Sequence, residues 1–399
     1  MDHPIQAARR PAAAAAAAAV LRARALIPLL DAAGPRIDAA RELPADIVAS
    51  MHEAGLFRLL LPRSLGGEEL QPAIYIQAVE AIAMGDASAA WCMNQGSGCS
   101  MAAAYLEPAI AREIFGDRRD VLAWGQGRTR AVKAPGGWRV SGVSHFASGS
   151  RHSTWLGMHC PTFEADGTPI RHQDGAAFER SMLFHRAVAT ITDDWHVMGL
   201  RGTGSDTYAV EDLFVPDEYV VTRDRDEERR ADGLLYRFST SNIYAAGFGA
   251  VGLGIARATL EAFIAMAAMK TPALTNTSMR DNPVIQGLLG HSDARVRAAR
   301  SRLIEVLGEA WEEAERTGRL SLDRKIDIRQ ASTYAIMESR AVVTALWHEA
   351  GATAIFDAQP FEHRFRDMNA VSQQVQGRAS HFETVGQYLL GMTPSLRWV

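Results

Sequence analysis

The 399-residue sequence predicts an α+β protein, mostly helical, with a β region set between two helical regions. Three observations carry this. Apolar residues recur at helical spacing over residues 1–120, alternate with period two over 121–230, and return to helical spacing over 231–399. The last third contains long apolar and amphipathic segments of the length used in four-helix bundles. The chain is also too long for one simple core, so two or three units sharing interfaces are expected.

The elements follow in order. "ARRPAAAAAAAAVLRARA" sets an Arg pair before an apolar run, the outline of a twin-arginine or secretory signal. The run is nearly pure alanine, the best helix former, and continues into Arg22 and Arg24, which favours a first helix behind a loose tail. "ELPADIVASMHEAGLFRLLLP" places Leu43, Ile47, Val48, Met51, Leu56 and Leu59 on one helical face, stopped by Pro62. "PAIYIQAVEAIAMGDASAAWCMNQGSGCSMAAAYL" predicts two helices broken near Gly85 and Asp86, with small residues that permit close packing or leave room for a ligand. In the β region, "GGWRVSGVSHFASGS", "STWLGMHC", "SMLFHRA" and "SDTYAVEDLFVP" read as strands, and "APGGWRVSG" as a hairpin tip. "HSTWLGMH" alternates as a strand, which puts His152 and His159 on opposite faces. Three long helices and a final helix containing "FRDMNAVSQQVQG" complete the chain.

Composition narrows the function. A net charge of −4 and a pI near 6.3 give no electrostatic reason for nucleic acid or an anionic membrane as partner. No apolar run is expected to span a membrane. Cys92, Cys99 and Cys160 form no CxxC pair and the histidines form no HExxH, so no metal site or disulfide framework is suggested. Reduced thiols fit a cytoplasmic protein.

Two short motifs carry chemistry. "RGTGSD" packs Arg201, Gly202, Thr203, Gly204, Ser205 and Asp206 into a segment that could hold a phosphate or a polar ring edge, or form an ordinary turn. "FASGS", Phe146 to Ser150, follows a strand-like run, and its Ser-Gly could bring a hydroxyl and a backbone N–H against a flat cofactor. It too has the composition of a turn, and it is not a nucleophile elbow because no helix follows.

The order of these motifs resembles the acyl-CoA dehydrogenase superfamily. "LPADIVASMHEAGLFRLLLPRSLGG", "GGWRVSGVSHFASGSRHSTW", "MGLRGTGSDTYAVEDLFVP" and "LLGMTPSLRW" are similar to successive family segments along nearly the whole chain. The resemblance implies an N-terminal helical domain, a β-barrel-like domain and a C-terminal four-helix bundle, a flavin held between the last two, and a homotetramer.

The family's dehydrogenases abstract a proton with a glutamate, about nine residues after an Arg-Asp pair or just before the glycine-rich start of the long helix. Counting from Arg366 reaches Val375, and no acid stands between Asp367 and Glu383. "STSNIYAAGFGAVG" holds none either. The chain therefore resembles the two-component flavin-dependent monooxygenases of this fold. That implies reduced FAD or FMN from a separate flavin reductase, O2, a C4a-hydroperoxide, and a small aromatic substrate. A hydroperoxide needs a dry pocket and no neighbouring carboxylate. The resemblance maps Ser148 and Gly149 to the flavin N5 region. It maps Arg201, Thr203, Gly204 and Ser205 to the flavin-facing loop, and Trp124 and Gln126 to the strand beside the ring. Asn369, Gln373 and Gln374 become neutral hydrogen-bonding candidates, with Ser148, Asn369 and Gln374 the catalytic set. Trp91, Met93, Cys99 and Phe248, with Met101 and Met392, are candidates to line a substrate slot. The histidines that phenol hydroxylases carry near Cys99 and near Asn369 or Gln374 are absent, which favours an indole-like ring over a phenol. His381 is the nearest remaining candidate base. A dehydrogenase with a relocated base and a non-catalytic scaffold of the same fold stay open at this level.

Overall fold

A computed structural model describes residues 17–172, 175–222 and 225–394. Helix α1 covers 17–25, and the Arg pair before it lies outside the described residues. Helices α2 (Ile27–Ala40), α3 (Ala45–Glu53), α4 (Pro72–Gly85), α5 (Ala87–Ser100) and α6 (Pro108–Phe115) follow. Asp86 separates α4 from α5 as predicted: its backbone is extended, and its carboxylate accepts Ala89 N–H as the N-cap of α5. The predicted helix from Leu43 to Leu59 is shorter than expected. It ends at Glu53 because Gly55 turns left-handed at φ 71°, and Leu56 begins a 3₁₀ turn.

Among the described residues eight strands follow: β1 (Leu122–Trp124), β2 (Gln126–Ala134), β3 (Gly137–His145), β4 (Trp155–Phe163), β5 (Glu179–His185), β6 (Thr190–Thr192), β7 (Thr207–Pro216) and β8 (Val220–Val221). Their order is β6-β7-β3-β2-β4-β5-β8, with β1 parallel to β4. The β2–β3 hairpin pairs Ala134 with Gly137 across Pro135 and Gly136, where the hairpin tip was expected. β2 meets β4 at only two pairs, and there the sheet folds over a core of Ala131, Val140, Leu156, Met158 and Tyr208. The path keeps two ends, β6 and β8, so it is barrel-like without full closure. His152 precedes β4 in a turn, so the expected opposition of His152 and His159 across one strand does not hold.

Helices α7 (Thr240–Met269), α8 (Pro283–Thr317), α9 (Leu322–Ala350) and α10 (Pro360–Gln373) pack together, with α4 against α7 and α8. Contrary to the sequence reading, α7 is long and apolar enough to cross a membrane, yet 67% of its apolar window is buried in the protein. It is the central core helix. Its glycines allow α5 to cross closely: a Cβ on Gly247 would lie 1.8 Å from Asn94 Oδ1. "FRDMNAVSQQVQG" is not in the final helix. It leaves α10 at Gln373, turns extended at Gln374, and closes as a 3₁₀ turn over Val375–Gly377 before α11 (Ser380–Leu389). The end of "LLGMTPSLRW", residues 395–398, lies outside the described residues.

Candidate functional site

The two glycine-hydroxyl motifs meet. Strand β3 ends at His145, the next residue, Phe146, has a left-handed backbone at φ 58°, and the following turn packs on the loop before β7. Gly149 N–H donates to Thr203 O at 2.9 Å, Ala147 N–H to Asp206 O at 3.2 Å, and Ser150 Oγ to Gly204 O at 3.2 Å. Arg151 locks the pair with a two-pronged contact to Asp206, Nε to Oδ2 at 2.7 Å and Nη2 to Oδ1 at 3.0 Å. Asp206 raises the Arg151 guanidinium above its ordinary range, and Asp193, hydrogen-bonded by Arg41 and facing Arg151, is drawn down to about 2.

Inside the junction runs a chain of hydroxyls. Trp91 Nε1 donates to Ser148 Oγ at 3.0 Å. Ser148 Oγ lies 2.7 Å from Ser205 Oγ, which lies 2.7 Å from Thr203 Oγ1, which donates to Leu200 O at 2.9 Å. Ser148, at 6% exposed, is the most accessible of the three hydroxyl residues. Beside it Phe146 is 68% exposed, edge-on to Trp195 at 6.1 Å. A large apolar ring held open by a left-handed backbone is costly unless something flat covers it.

Behind Trp91 the aromatic residues continue. Trp91 stacks on Phe248 at 4.0 Å, and Phe248 on Tyr244 at 5.8 Å. Tyr244 Oη lies 3.3 Å from Cys99 Sγ and donates to Gln95 O at 3.3 Å. Gln95 Nε2 in turn donates to Trp124 O at 3.5 Å. These residues come from α5, α7 and β1, so the aromatic wall lies where all three zones of the chain converge.

Helix α10 holds the loop from outside. Asp367 Oδ1 accepts Leu200 N–H at 2.7 Å, and Arg366 Nη1 donates to Met198 O at 2.6 Å. Asp367 Oδ2 meets His363 Nε2 at 3.1 Å. Burial lowers the His363 pKa, but Asp367, Asp86 and Asp38 outweigh it and hold the imidazolium up to about 9. Burial, partly offset by His363, pushes the Asp86 carboxyl up to about 7. Behind Gly149, burial brings His152 down to about 4, so its imidazole is neutral at physiological pH.

The structure brings Ser148, Gly149, Thr203, Gly204, Ser205 and Trp91 into one hydrogen-bonded unit, and Phe248 stacks on it. Arg201 sits at its edge, with Nη1 3.5 Å from Asp38. Trp124 is buried against His159, with ring centroids 4.9 Å apart, and Gln126 is exposed at the start of β2. Met93 and Cys99 are fully buried. The amides of the α10 segment are engaged locally. Asn369 Nδ2 donates to Phe365 O at 2.8 Å within its own helix, Gln374 Oε1 accepts Gln376 N–H at 2.6 Å, and Gln373 is exposed. Buried Gln376, outside the predicted set, accepts from Arg329. His381 is buried, its ring nitrogen 2.8 Å from Val375 O, and burial lowers its pKa. Met101 is buried and Met392 exposed. Phe146, Gln95, Tyr244, Arg151 and His363 were missed by sequence reasoning. Only the Phe of "FASGS" carried a local signal, its place at a strand end.

Known proteins share this fold. Residues 24–110 match the family model "Acyl-CoA dehydrogenase, N-terminal domain", and residues 246–376 match "Acyl-CoA dehydrogenase, C-terminal domain". The indole-3-acetate monooxygenase of Pseudomonas putida is 27% identical over 90% of both chains. The oxygenase subunit HsaA of a flavin-dependent monooxygenase from Rhodococcus jostii is 25% identical, over 88% of this chain and 92% of its own. Among solved structures, XiaF from Streptomyces, in complex with FADH2 and glycerol, superposes with a TM-score of 0.89 at 23% identity, covering 97% of this chain and 98% of its own. The chain belongs to the acyl-CoA dehydrogenase superfamily, in its flavin-dependent monooxygenase branch.

Proposed function

We propose that the chain is the oxygenase component of a two-component monooxygenase. It takes reduced FAD or FMN from a separate flavin reductase and oxygenates a small aromatic or heteroaromatic substrate, with indole-like rings favoured over phenols. The observation that carries this is the segment after Arg366–Asp367. A proton-abstracting dehydrogenase needs a carboxylate within hydrogen-bond reach. Here Asn369 and Gln374 are amides bound to backbone, and His381 beyond them is buried with a lowered pKa.

The residues present fit a flavin. Phe146 offers an exposed ring face, Ser148 a hydroxyl beside it, and Gly149 a backbone free of a side chain at φ 81°. Bound there, reduced flavin would supply the two electrons that activate O2. One oxygen atom passes to the substrate and the other leaves as water. The chain's part is to hold the ring, exclude water and place the substrate. The aromatic wall of Trp91, Phe248 and Tyr244 suits a flat apolar ring, with Tyr244 Oη and Gln95 as its polar groups. Asn369, Gln373 and Gln374 are the neutral hydrogen-bonding groups of this reading, with no acid or base among them. Buried thiols at Cys92, Cys99 and Cys160 suit a cytoplasmic setting. A homotetramer would cover exposed Tyr334 and Met337 on α9 and Leu389 and Leu390 at the end of α11.

The test is reconstitution with a flavin reductase, NADH, flavin and indole under ¹⁸O2. The proposal predicts a product carrying one labelled oxygen, and cells fed indole would turn blue. Oxidation of an acyl-CoA without oxygen incorporation would overturn it.

A further inference from the structure

We infer that Thr203 and Ser205 are positioning residues that fix the direction of the hydroxyl chain, so that Ser148 presents a lone pair and no proton to the flavin. The site thereby selects reduced over oxidised flavin. The inference rests on the reading that Ser148 faces the flavin ring.

The direction follows from counting protons. Each hydroxyl has one proton to give and two lone pairs to receive. Leu200 O can only accept, so the 2.9 Å contact uses the Thr203 proton. The 2.7 Å contact between Thr203 and Ser205 must then use the Ser205 proton. The 2.7 Å contact between Ser205 and Ser148 must use the Ser148 proton. At the other end, the indole N–H of Trp91 can only donate, and it takes one lone pair of Ser148. All four contacts are satisfied by this arrangement alone. Ser148 is left with one lone pair and no free proton. The chain is buried, with Ser205 and Thr203 at 3% and 2% exposed, so water has little access to reverse it.

A flavin reads that polarity at N5. Reduced flavin carries N5–H and donates; oxidised flavin has a bare N5 and accepts. A lone pair at Ser148 matches the first and opposes the second. An unmatched polar contact in a buried site costs more than a matched one gains, so the discrimination is built in before any chemistry. An oxygenase fed by a separate reductase gains from this: spent flavin is released and reduced flavin is held.

The experiment is anaerobic equilibrium binding of FMN and photoreduced FMN, with FAD in parallel, to the full chain and three variants. Thr203→Val keeps the shape but removes the hydroxyl. Ser205 can then turn its proton to Ser148, which frees the Ser148 proton for an acceptor. The preference for reduced over oxidised flavin is expected to fall by about tenfold or more. Ser205→Ala removes the acceptor for the Ser148 proton and should act in the same direction. Thr203→Ser keeps the hydroxyl and should retain the wild-type ratio. An unchanged ratio in both Thr203→Val and Ser205→Ala, with reduced flavin still bound, overturns the inference. So does a Thr203→Ser variant that behaves like Thr203→Val, which would mark a packing effect. If wild-type protein binds neither form, the functional reading itself fails.

Discussion

Asp367 accepts the backbone N–H of Leu200 at 2.7 Å, across 167 positions of sequence. That bond pins the loop carrying Thr203 and Ser205 to α10, and it holds Leu200 left-handed at φ 54°, a conformation a leucine avoids by itself. Asp367 is 2% exposed, so its loss also leaves His363 facing an emptied site. Asp367→Ala is expected to cost about 2–4 kcal/mol in urea unfolding and to weaken flavin binding. Asp367→Asn keeps an acceptor for Leu200 and should be milder. Equal effects of the two would show that the Leu200 bond is not what matters.

Phe146 contributes little to the core because its ring is mostly exposed. Phe146→Ala should leave stability within about 0.5 kcal/mol. Flavin affinity should fall about tenfold, the order expected for one lost ring contact. Titration of reduced flavin alongside a thermal melt separates the two. A variant that melts much earlier but binds normally would make Phe146 a structural residue.

Arg151 is the fork that ties the two motifs together, and Asp206 beneath it is 2% exposed. Arg151→Ala strands that carboxylate and should destabilise the protein by about 3–5 kcal/mol. Arg151→Lys keeps the charge but not the paired geometry, and should recover only part of the loss. Denaturant midpoints of the three proteins check the order.

His363 gives a pH signature. Its folded pKa is raised from 6.5 to about 9. The folded state then keeps a proton that the unfolded chain releases, so this contribution is complete below pH 6.5 and is lost as pH climbs to about 9. His363→Gln should remove that part of the fall in stability across this window. Parallel slopes for the variant and the wild type in unfolding experiments at several pH values would contradict the assignment.

Much of this was legible in sequence. Gly85–Asp86 marked a helix break, the Pro135–Gly136 turn a hairpin, and "RGTGSD" and "FASGS" the two loops that meet. What escaped depends on tertiary placement. A phenylalanine at a strand end reads as core, and only the left-handed backbone at residue 146 turns it outward. Asp86 caps α5, Asp38 lies on α2 and His363 on α10, so no local pattern could join them. The polar run after Asp367 read as continuous helix because amides suit one; the extended backbone at Gln374 breaks it.

The most direct measurement of the central claim is rapid mixing. The protein is loaded anaerobically with photoreduced flavin, mixed with oxygen, and followed in the near-ultraviolet and at the oxidised-flavin band, with and without indole. An early species before oxidised flavin appears, a lag in flavin oxidation, and oxygenated product when indole is present are expected. Oxidation of the flavin in one phase at the rate of free flavin, with no lag and no product, would contradict that claim.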